Sequence, residues 1–378
     1  MIETETVVGA GTIKLTCSRD ELIQKLGIVA RGVSTRTAVQ ILGGILIDAH
    51  ADRVELAATD MELSLRAALE AKVEGEGAVV VPGRLLADLA RLLPDSDVSI
   101  AHRGDEGTVE VTAGSASYRL HTYDATDFPR LLDVEGLDRH TVDRDALLDT
   151  IARVSRSASR DESRPVLTGI LVRFDGGKLV MAATDSYRLS VKETELDGTL
   201  PELEAIVPAR ALTELTRIAQ GAENVELALH ENQVVFGVDC TWLTTRRIDG
   251  QFPNYGQLVP ETFDHEVVLP REELLEVVRR VAVMAQRNSP LRLRFADGEL
   301  TVSARTQDVG EAQESLPAPF TGEPLEIGFN AEFLRDGIES VDGDAVRVRL
   351  ISPLRPCVLQ SDEDGDFLYL IMPIRLAG

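Results

Sequence analysis

Leu56-Ala57-Ala58-Thr59-Asp60 returns as Met181-Ala182-Ala183-Thr184-Asp185, and Leu42-Gly43-Gly44-Ile45-Leu46-Ile47 returns as Leu167-Thr168-Gly169-Ile170-Leu171-Val172. Both pairs are offset by 125 residues, so the chain repeats itself in one register. A repeat of this length is read before any local feature, because it fixes the unit that folds. A weaker third copy follows: Arg173-Phe174 and Gly177-Lys178-Leu179 match Arg294-Phe295 and Gly298-Glu299-Leu300, both at offset 121.

Helices keep the same beat. Arg19-Asp20-Glu21-Leu22-Ile23, Arg144-Asp145-Ala146-Leu147-Leu148 and Arg271-Glu272-Glu273-Leu274-Leu275 each open a segment of helical apolar spacing. Their early acids suit the positive end of a helix dipole. A second helix per copy starts at Val81-Pro82-Gly83-Arg84, at Val207-Pro208-Ala209-Arg210 and at Phe329-Asn330-Ala331-Glu332. Proline costs no hydrogen bond at a helix start, and Asn330 is a good N-cap. Short alternating runs such as Arg53–Ala58, Thr108–Thr112, Ser117–Thr122 and Val225–Leu229 read as strands. The pattern gives an α+β chain of three repeated domains, each two β-α-β-β-β halves. Boundaries near Leu131–His140 and Pro260–His265 give domains 1–135, 136–262 and 263–378. Three unrelated α+β domains are the alternative, and the shared registers count against it.

The 378 residues carry 39 Lys+Arg against 63 Asp+Glu, a net charge of −24, with 44% hydrophobic residues. This is a globular composition with ample core. An evenly spread −24 would repel a phosphate backbone. Met1-Ile2-Glu3-Thr4-Glu5 does not read as a signal peptide, and the longest apolar run, near Ile41–Ile47, is too short to span a membrane. Cys17, Cys240 and Cys357 are scattered and odd in number, which suits reduced thiols in the cytoplasm.

The charge is not even. Lys25, Arg31 and Arg36 lie in an acid-free stretch at the end of the first helix and beyond; so do Arg153, Arg156 and Arg160, and Arg279, Arg280 and Arg287. Arg84, Arg91, Arg210 and Arg217 add to this on the second helices, against Asp88 and Glu214. Cations at helix C-termini can simply complement the dipole. Recurrence in three copies favours a shared basic surface for duplex DNA, since Lys and Arg neutralise phosphates without reading sequence. Basic residues are not interleaved with aromatics, so base stacking on single strands is not suggested.

No GxSxG, HExxH, phosphate loop or complete GxGxxG occurs, and Gly9-Ala10-Gly11 is a lone fragment. The six histidines are dispersed without metal-ligand spacing. Asp362-Glu363-Asp364-Gly365-Asp366 is too short for a calcium loop and reads as a hairpin turn between strands Pro356–Gln360 and Phe367–Met372. Asp60 and Asp185 occupy matching repeat positions, where strand-end turns want Asp. No metal, cofactor or catalysis is expected.

Ala183-Thr184-Asp185-Ser186-Tyr187-Arg188-Leu189-Ser190, then Arg247-Ile248-Asp249-Gly250-Gln251-Phe252-Pro253-Asn254-Tyr255, then Met372-Pro373-Ile374-Arg375-Leu376 together closely resemble the bacterial DNA polymerase III beta subunits, the sliding clamps. The resemblance runs from about Thr12 to the end. It implies a head-to-tail homodimer whose six domains close a ring, with helices lining the hole. Such a ring would encircle double-stranded DNA, slide on it and tether the replicative DNA polymerase. The clamp loader and other clamp-motif repair and replication proteins are further implied partners. The resemblance also implies a pocket for a short partner peptide, carried by Leu167, Thr184, Ser186, Tyr187, Arg188, Leu189, Pro253, Leu258, Leu370, Met372, Pro373, Ile374 and Arg375. Leu167, Leu189 and Leu370 read equally well as core. DNA contact carries over most directly to Arg36 and to Arg164. Departures stand out: no proline lies between Arg36 and Leu42, Ser186 replaces a frequent Gly, and Ala377-Gly378 extend past the usual terminal Leu. They raise a specialised, inhibitor-insensitive second copy as a variant of the reading. The rivals are a scaffold without a DNA role and a hydrolase built on scattered carboxylates.

Overall fold

A computed structural model of the chain describes residues 13–34, 38–51, 53–196, 200, 202–285, 289–306, 310–362 and 365–376. The first repeat runs β1 (Lys14–Cys17), α1 (Arg19–Val29), β2 (Gly44–Ala49), β3 (Val54–Thr59), β4 (Leu63–Leu69), β5 (Lys72–Gly75), β6 (Gly77–Pro82), α2 (Gly83–Leu92), β7 (Val98–Arg103), β8 (Thr108–Ala113) and β9 (Ala116–His121). The second runs β10 (Arg139–Asp143), α3 (Arg144–Ser155), the single turn α4 (Pro165–Thr168), β11 (Gly169–Asp175), β12 (Lys178–Thr184), β13 (Arg188–Glu195), β14 (Leu203–Pro208), α5 (Ala209–Ile218), β15 (Asn224–His230), β16 (Gln233–Val238) and β17 (Thr241–Arg246). The third runs β18 (His265–Pro270), α6 (Arg271–Ala282), β19 (Leu291–Ala296), β20 (Glu299–Thr306), β21 (Gly310–Pro317), β22 (Leu325–Phe329), α7 (Ala331–Ser340), β23 (Ala345–Leu350), β24 (Cys357–Ser361) and β25 (Phe367–Ile371). The doubled β-α-β-β-β order therefore occurs three times, with β5 as an addition in the first copy.

Two compact units result. One comprises Met1–Val142 with Arg217–Arg247, the other Asp143–Thr216 with Ile248–Gly378. The first unit holds a five-stranded sheet, β5-β1-β7-β8-β9, and an eight-stranded one, β10-β15-β16-β17-β4-β3-β2-β6. The second holds an eight-stranded sheet, β14-β11-β12-β13-β25-β24-β23-β18, and a four-stranded one, β21-β20-β19-β22. Each eight-stranded sheet takes four strands from one repeat and four from the next. The seams are antiparallel, β17 on β4 (Leu243 opposite Leu65) and β13 on β25 (Leu189 opposite Leu370). The compact units cut across the repeats because these seams join neighbouring copies.

Local chemistry accounts for the elements. Ser18 caps α1 by accepting from the Glu21 amide, Asp143 caps α3 through Ala146, and Asn330 caps α7 through Glu332 and Phe333. The third-copy match falls on a hairpin turn: Gly176 and Gly177, like Asp297 and Gly298, have positive φ, as two-residue hairpins require. In the second unit α6 and α7 bury Leu274, Val278, Val281, Leu334 and Ile338 against β18–β20 and β22–β25. Gly337 lets α7 lie close on β25, for a Cβ there would sit 2.5 Å from the Tyr369 ring. β24 and β25 pair antiparallel, as the expected hairpin requires, and Glu363 and Asp364 of its turn lie outside the described residues. No helix among the described residues is long and apolar enough to cross a membrane.

Candidate functional site

The Thr184–Arg188 turn, at the end of β12, organises the candidate site in the second unit. Asp185 Oδ1 accepts from the amides of Tyr187 and Arg188, while Thr184 Oγ1 donates to the Arg188 carbonyl and accepts from the Ser186 amide. Ser186 is thereby held at φ 80°. In the first unit Asp60 Oδ1 accepts from Glu62 and Leu63, Thr59 Oγ1 binds the Leu63 carbonyl and the Met61 amide, and Met61 has φ 78°. The same turn is built twice, 125 residues apart. Both aspartates act as turn builders, and the left-handed backbone explains why glycine suits the Ser186 position.

Arg188 sits differently from its neighbours. Its side chain is only 6% exposed, with Nε 3.1 Å from Asp185 Oδ2 and Nη1 2.6 Å from Asp336 Oδ2 on α7. Its guanidinium stacks 4.2 Å from the Phe333 ring centroid. The Tyr369 hydroxyl donates to the Phe333 carbonyl, and burial pushes that phenol far above its usual pKa, so it stays a donor. Arg188 is a brace beneath the site, clamping the turn to α7. Asp336 and Phe333 were missed by sequence reasoning; Asp336 is two residues from both Leu334 and Ile338, off the stripe they share on α7, so helical spacing gave no signal for it.

Above the brace lies an apolar rim. Tyr187 (61%), Leu258 (51%), Met372 (41%) and Ile374 (40%) are exposed, whereas Leu167, Leu189 and Leu370 are buried. Leu189 and Leu370 form a small core with Val358, against which Tyr255 packs. The terminal strand is held at two points: the Met372 amide donates to the Tyr187 carbonyl at 2.8 Å, and the Ile374 amide to the Gly328 carbonyl at 2.7 Å. Met372 and Pro373 therefore run beside the turn on a fixed backbone. Pro253 is half-buried and Arg375 exposed; Ser186 Oγ accepts from Arg164, which also pairs with Asp161. The arrangement offers apolar side chains on a braced frame, suited to a short peptide with apolar anchors. Ala377 and Gly378 lie outside the described residues.

The basic segments need a correction. Counted along the chain they contain no acid; in the folded protein acids reach them from elsewhere. Arg153 pairs with Asp149 and Asp342, Arg156 with Glu339 and Asp336, Arg279 with Glu339, and Arg280 with Glu314 and Glu276. Lys25 pairs with Glu21, and Arg91 with Asp88. The Arg156 partner lies 183 residues away in sequence, beyond any local count. Arg31, Arg84, Arg160, Arg210 and Arg217 are exposed, and Arg84 and Arg160 make no ion pair among the described residues. Arg36 and Arg287 lie outside the described residues.

Models of the DNA polymerase III beta subunit match in order: the N-terminal domain at residues 13–133, the central domain at 141–254 and the C-terminal domain at 256–375. A beta sliding clamp of Synechococcus elongatus is 36% identical over 375 residues, covering 96% of this chain and 100% of the relative. A beta sliding clamp homolog, GriR of Streptomyces muensis, is 33% identical over 373 residues, covering 96% and 99%. Among solved structures, the Bartonella birtlesii sliding clamp bound to griselimycin aligns with a TM-score of 0.90 and 28% identity, covering 97% of this chain and all of that one.

Proposed function

The chain belongs to the DNA polymerase III beta subunit family, and on that footing we propose that it is a sliding clamp. It encircles duplex DNA in the cytoplasm as a head-to-tail homodimer and tethers the replicative polymerase without catalysing a reaction. The observation that carries this reading is the ordered match of all three family domains over residues 13–375. Tethering works through effective concentration: a polymerase that lets go of the primer end stays close to it.

Ring closure has support in the strands. The two internal sheets have eight strands each, while the sheets at the two ends of the chain have five and four. Their outer strands, β9 and β21, are edges, and an edge is a template for pairing with another chain. β9 carries Arg119 and His121, β21 carries Glu311 and Glu314, and Tyr118 is exposed on β9. Pairing β9 of one copy with β21 of the next would give a third shared sheet of complementary charge, a heterologous contact that two copies close into a ring.

The rim of Tyr187, Leu258, Met372, Pro373 and Ile374, braced by Arg188, takes a short peptide from the polymerase, the clamp loader or a repair protein. The exposed arginines of the helices meet the duplex backbone. A second reading, a specialised copy of altered inhibitor sensitivity, is favoured by Ser186 at a left-handed position; binding of griselimycin measured by calorimetry separates the two. For the clamp itself, the protein is loaded with a clamp loader onto nicked circular DNA, which is then linearised. A clamp stays on the circle and leaves through free ends; equal retention on both would refute encirclement.

A further inference from the structure

We propose that Glu339 and Asp342, at and just beyond the end of α7, are built-in substitutes for DNA phosphate. They hold Arg153, Arg156 and Arg279 in ready-made ion pairs, so a duplex engages by exchanging a carboxylate for a phosphate. This rests on the clamp reading and adds to it a role for two acids.

The geometry is specific. Glu339 accepts from Arg279 Nη2 at 2.8 Å and from Arg156, taking one guanidinium from α6 and one from the α3 end. Asp342 Oδ2 lies 3.0 Å from Arg153 Nη2, whose Nη1 also donates to the Ser340 carbonyl at 3.0 Å. Arg153, Arg156, Glu339 and Asp342, with Arg271 and Ser340, line one open cleft of about 280 Å³. The Arg156 and Arg279 side chains are 43% and 50% exposed, so an incoming anion can reach them while their carboxylate stays within a hydrogen bond.

Guanidinium binds carboxylate and phosphate through the same planar fork. An unpaired arginine meeting a phosphate gains the whole contact and releases a counterion, which strengthens binding and makes it steeply dependent on salt. An arginine that must first leave Glu339 gains only the difference. Each phosphate passed during sliding can then be handed back to a carboxylate at small cost. A ring that encloses its DNA holds it by topology, so strong contacts would only slow it.

The test uses the intact ring. Wild type is first loaded on nicked circles; failure of retention there would end the clamp reading itself, separately from this inference. Glu339→Gln is then compared with wild type by mobility shift on linear duplex between about 50 and 200 mM salt, and by single-molecule tracking of loaded rings. The slope of log affinity against log salt should steepen by about 0.9 per chain for Arg279, with a smaller part added by Arg156, which keeps Asp336 at 3.6 Å. Sliding should slow several-fold at low salt and recover at high salt. Asp342→Asn, at an exposed position, provides a second variant, with a smaller change because the Arg153 side chain is only 14% exposed and keeps Asp149. Folded variants with wild-type slope and diffusion would overturn the proposal and leave these pairs as fold stabilisers alone.

Discussion

Replacing Asp336 with alanine tests the brace beneath the apolar rim proposed to take a peptide. The substitution removes the 2.6 Å partner of Arg188, a guanidinium whose side chain is 6% exposed, from a carboxylate that is itself 10% exposed. Breaking one side of a buried pair strands the other charge, a loss of about 3–5 kcal/mol. Asp185 remains 3.1 Å from Arg188 Nε, which places the loss at the lower end, about 3 kcal/mol. The Arg156 and Arg335 contacts to Asp336, at 3.6 and 3.3 Å, come from more exposed side chains and add little. Asp336→Asn keeps an acceptor and loses the charge, so its loss should be about half as large. Urea unfolding of the full chain measures both, read as the midpoint shift of the affected transition because a chain of several domains need not unfold in one step. The turn also presents Tyr187 and receives the Met372 amide, so affinity for a polymerase-derived peptide should fall about tenfold. An Asp336→Ala chain within about 0.5 kcal/mol of wild type and with unchanged peptide affinity would refute the reasoning.

Met372→Ala removes an exposed rim anchor and should weaken the same peptide by about 1–2 kcal/mol in calorimetry, with unfolding unchanged. Met61 is half-exposed at φ 78°, so Met61→Gly should stabilise the first unit by about 0.5–1 kcal/mol, a gain seen as a higher urea midpoint. Burial pushes the Cys17 thiol to about 12 and the Cys357 thiol higher still, while Cys240 is exposed. Iodoacetamide on the native protein should therefore modify Cys240 alone by mass spectrometry, and rapid modification of all three would contradict the packing. Burial pushes the Glu339 carboxyl up, but hydrogen bonds from Arg279 and Arg156 outweigh it and hold it below the ordinary 4.5. A carboxyl depressed by folding adds stability above its unfolded value and loses it as pH falls through the folded one. Wild type should thus lose more stability than Glu339→Gln between about pH 5 and pH 3, checked by urea midpoints across that range.

Much of the fold was legible along the chain because its signals are local and repeated. The Thr-Asp turns at Thr59 and Thr184, the caps at Ser18, Asp143 and Asn330 and the glycine turn at Gly176-Gly177 depend on residues within four positions of each other. Repetition at offset 125 then tied these signals into one architecture. Tyr187 and Met372 were singled out by motif, and the hydrogen bond they share joins segments far apart in sequence. The seam of β13 on β25 is equally invisible from either strand alone.

Charge is where linear reading went astray. Lys25–Arg36, Thr150–Arg160 and Val277–Arg287 are acid-free as written, yet Glu339, Asp342, Asp336 and Glu314 come to their arginines through folding. By itself the sequence determined the repeat, the order of strands and helices and the turns, because hydrogen bonds between near neighbours are set by near neighbours. Tertiary structure alone decided which arginines are balanced and which turn is braced, because Coulomb energy and burial depend on distance in space, and folding sets that distance without regard to separation along the chain.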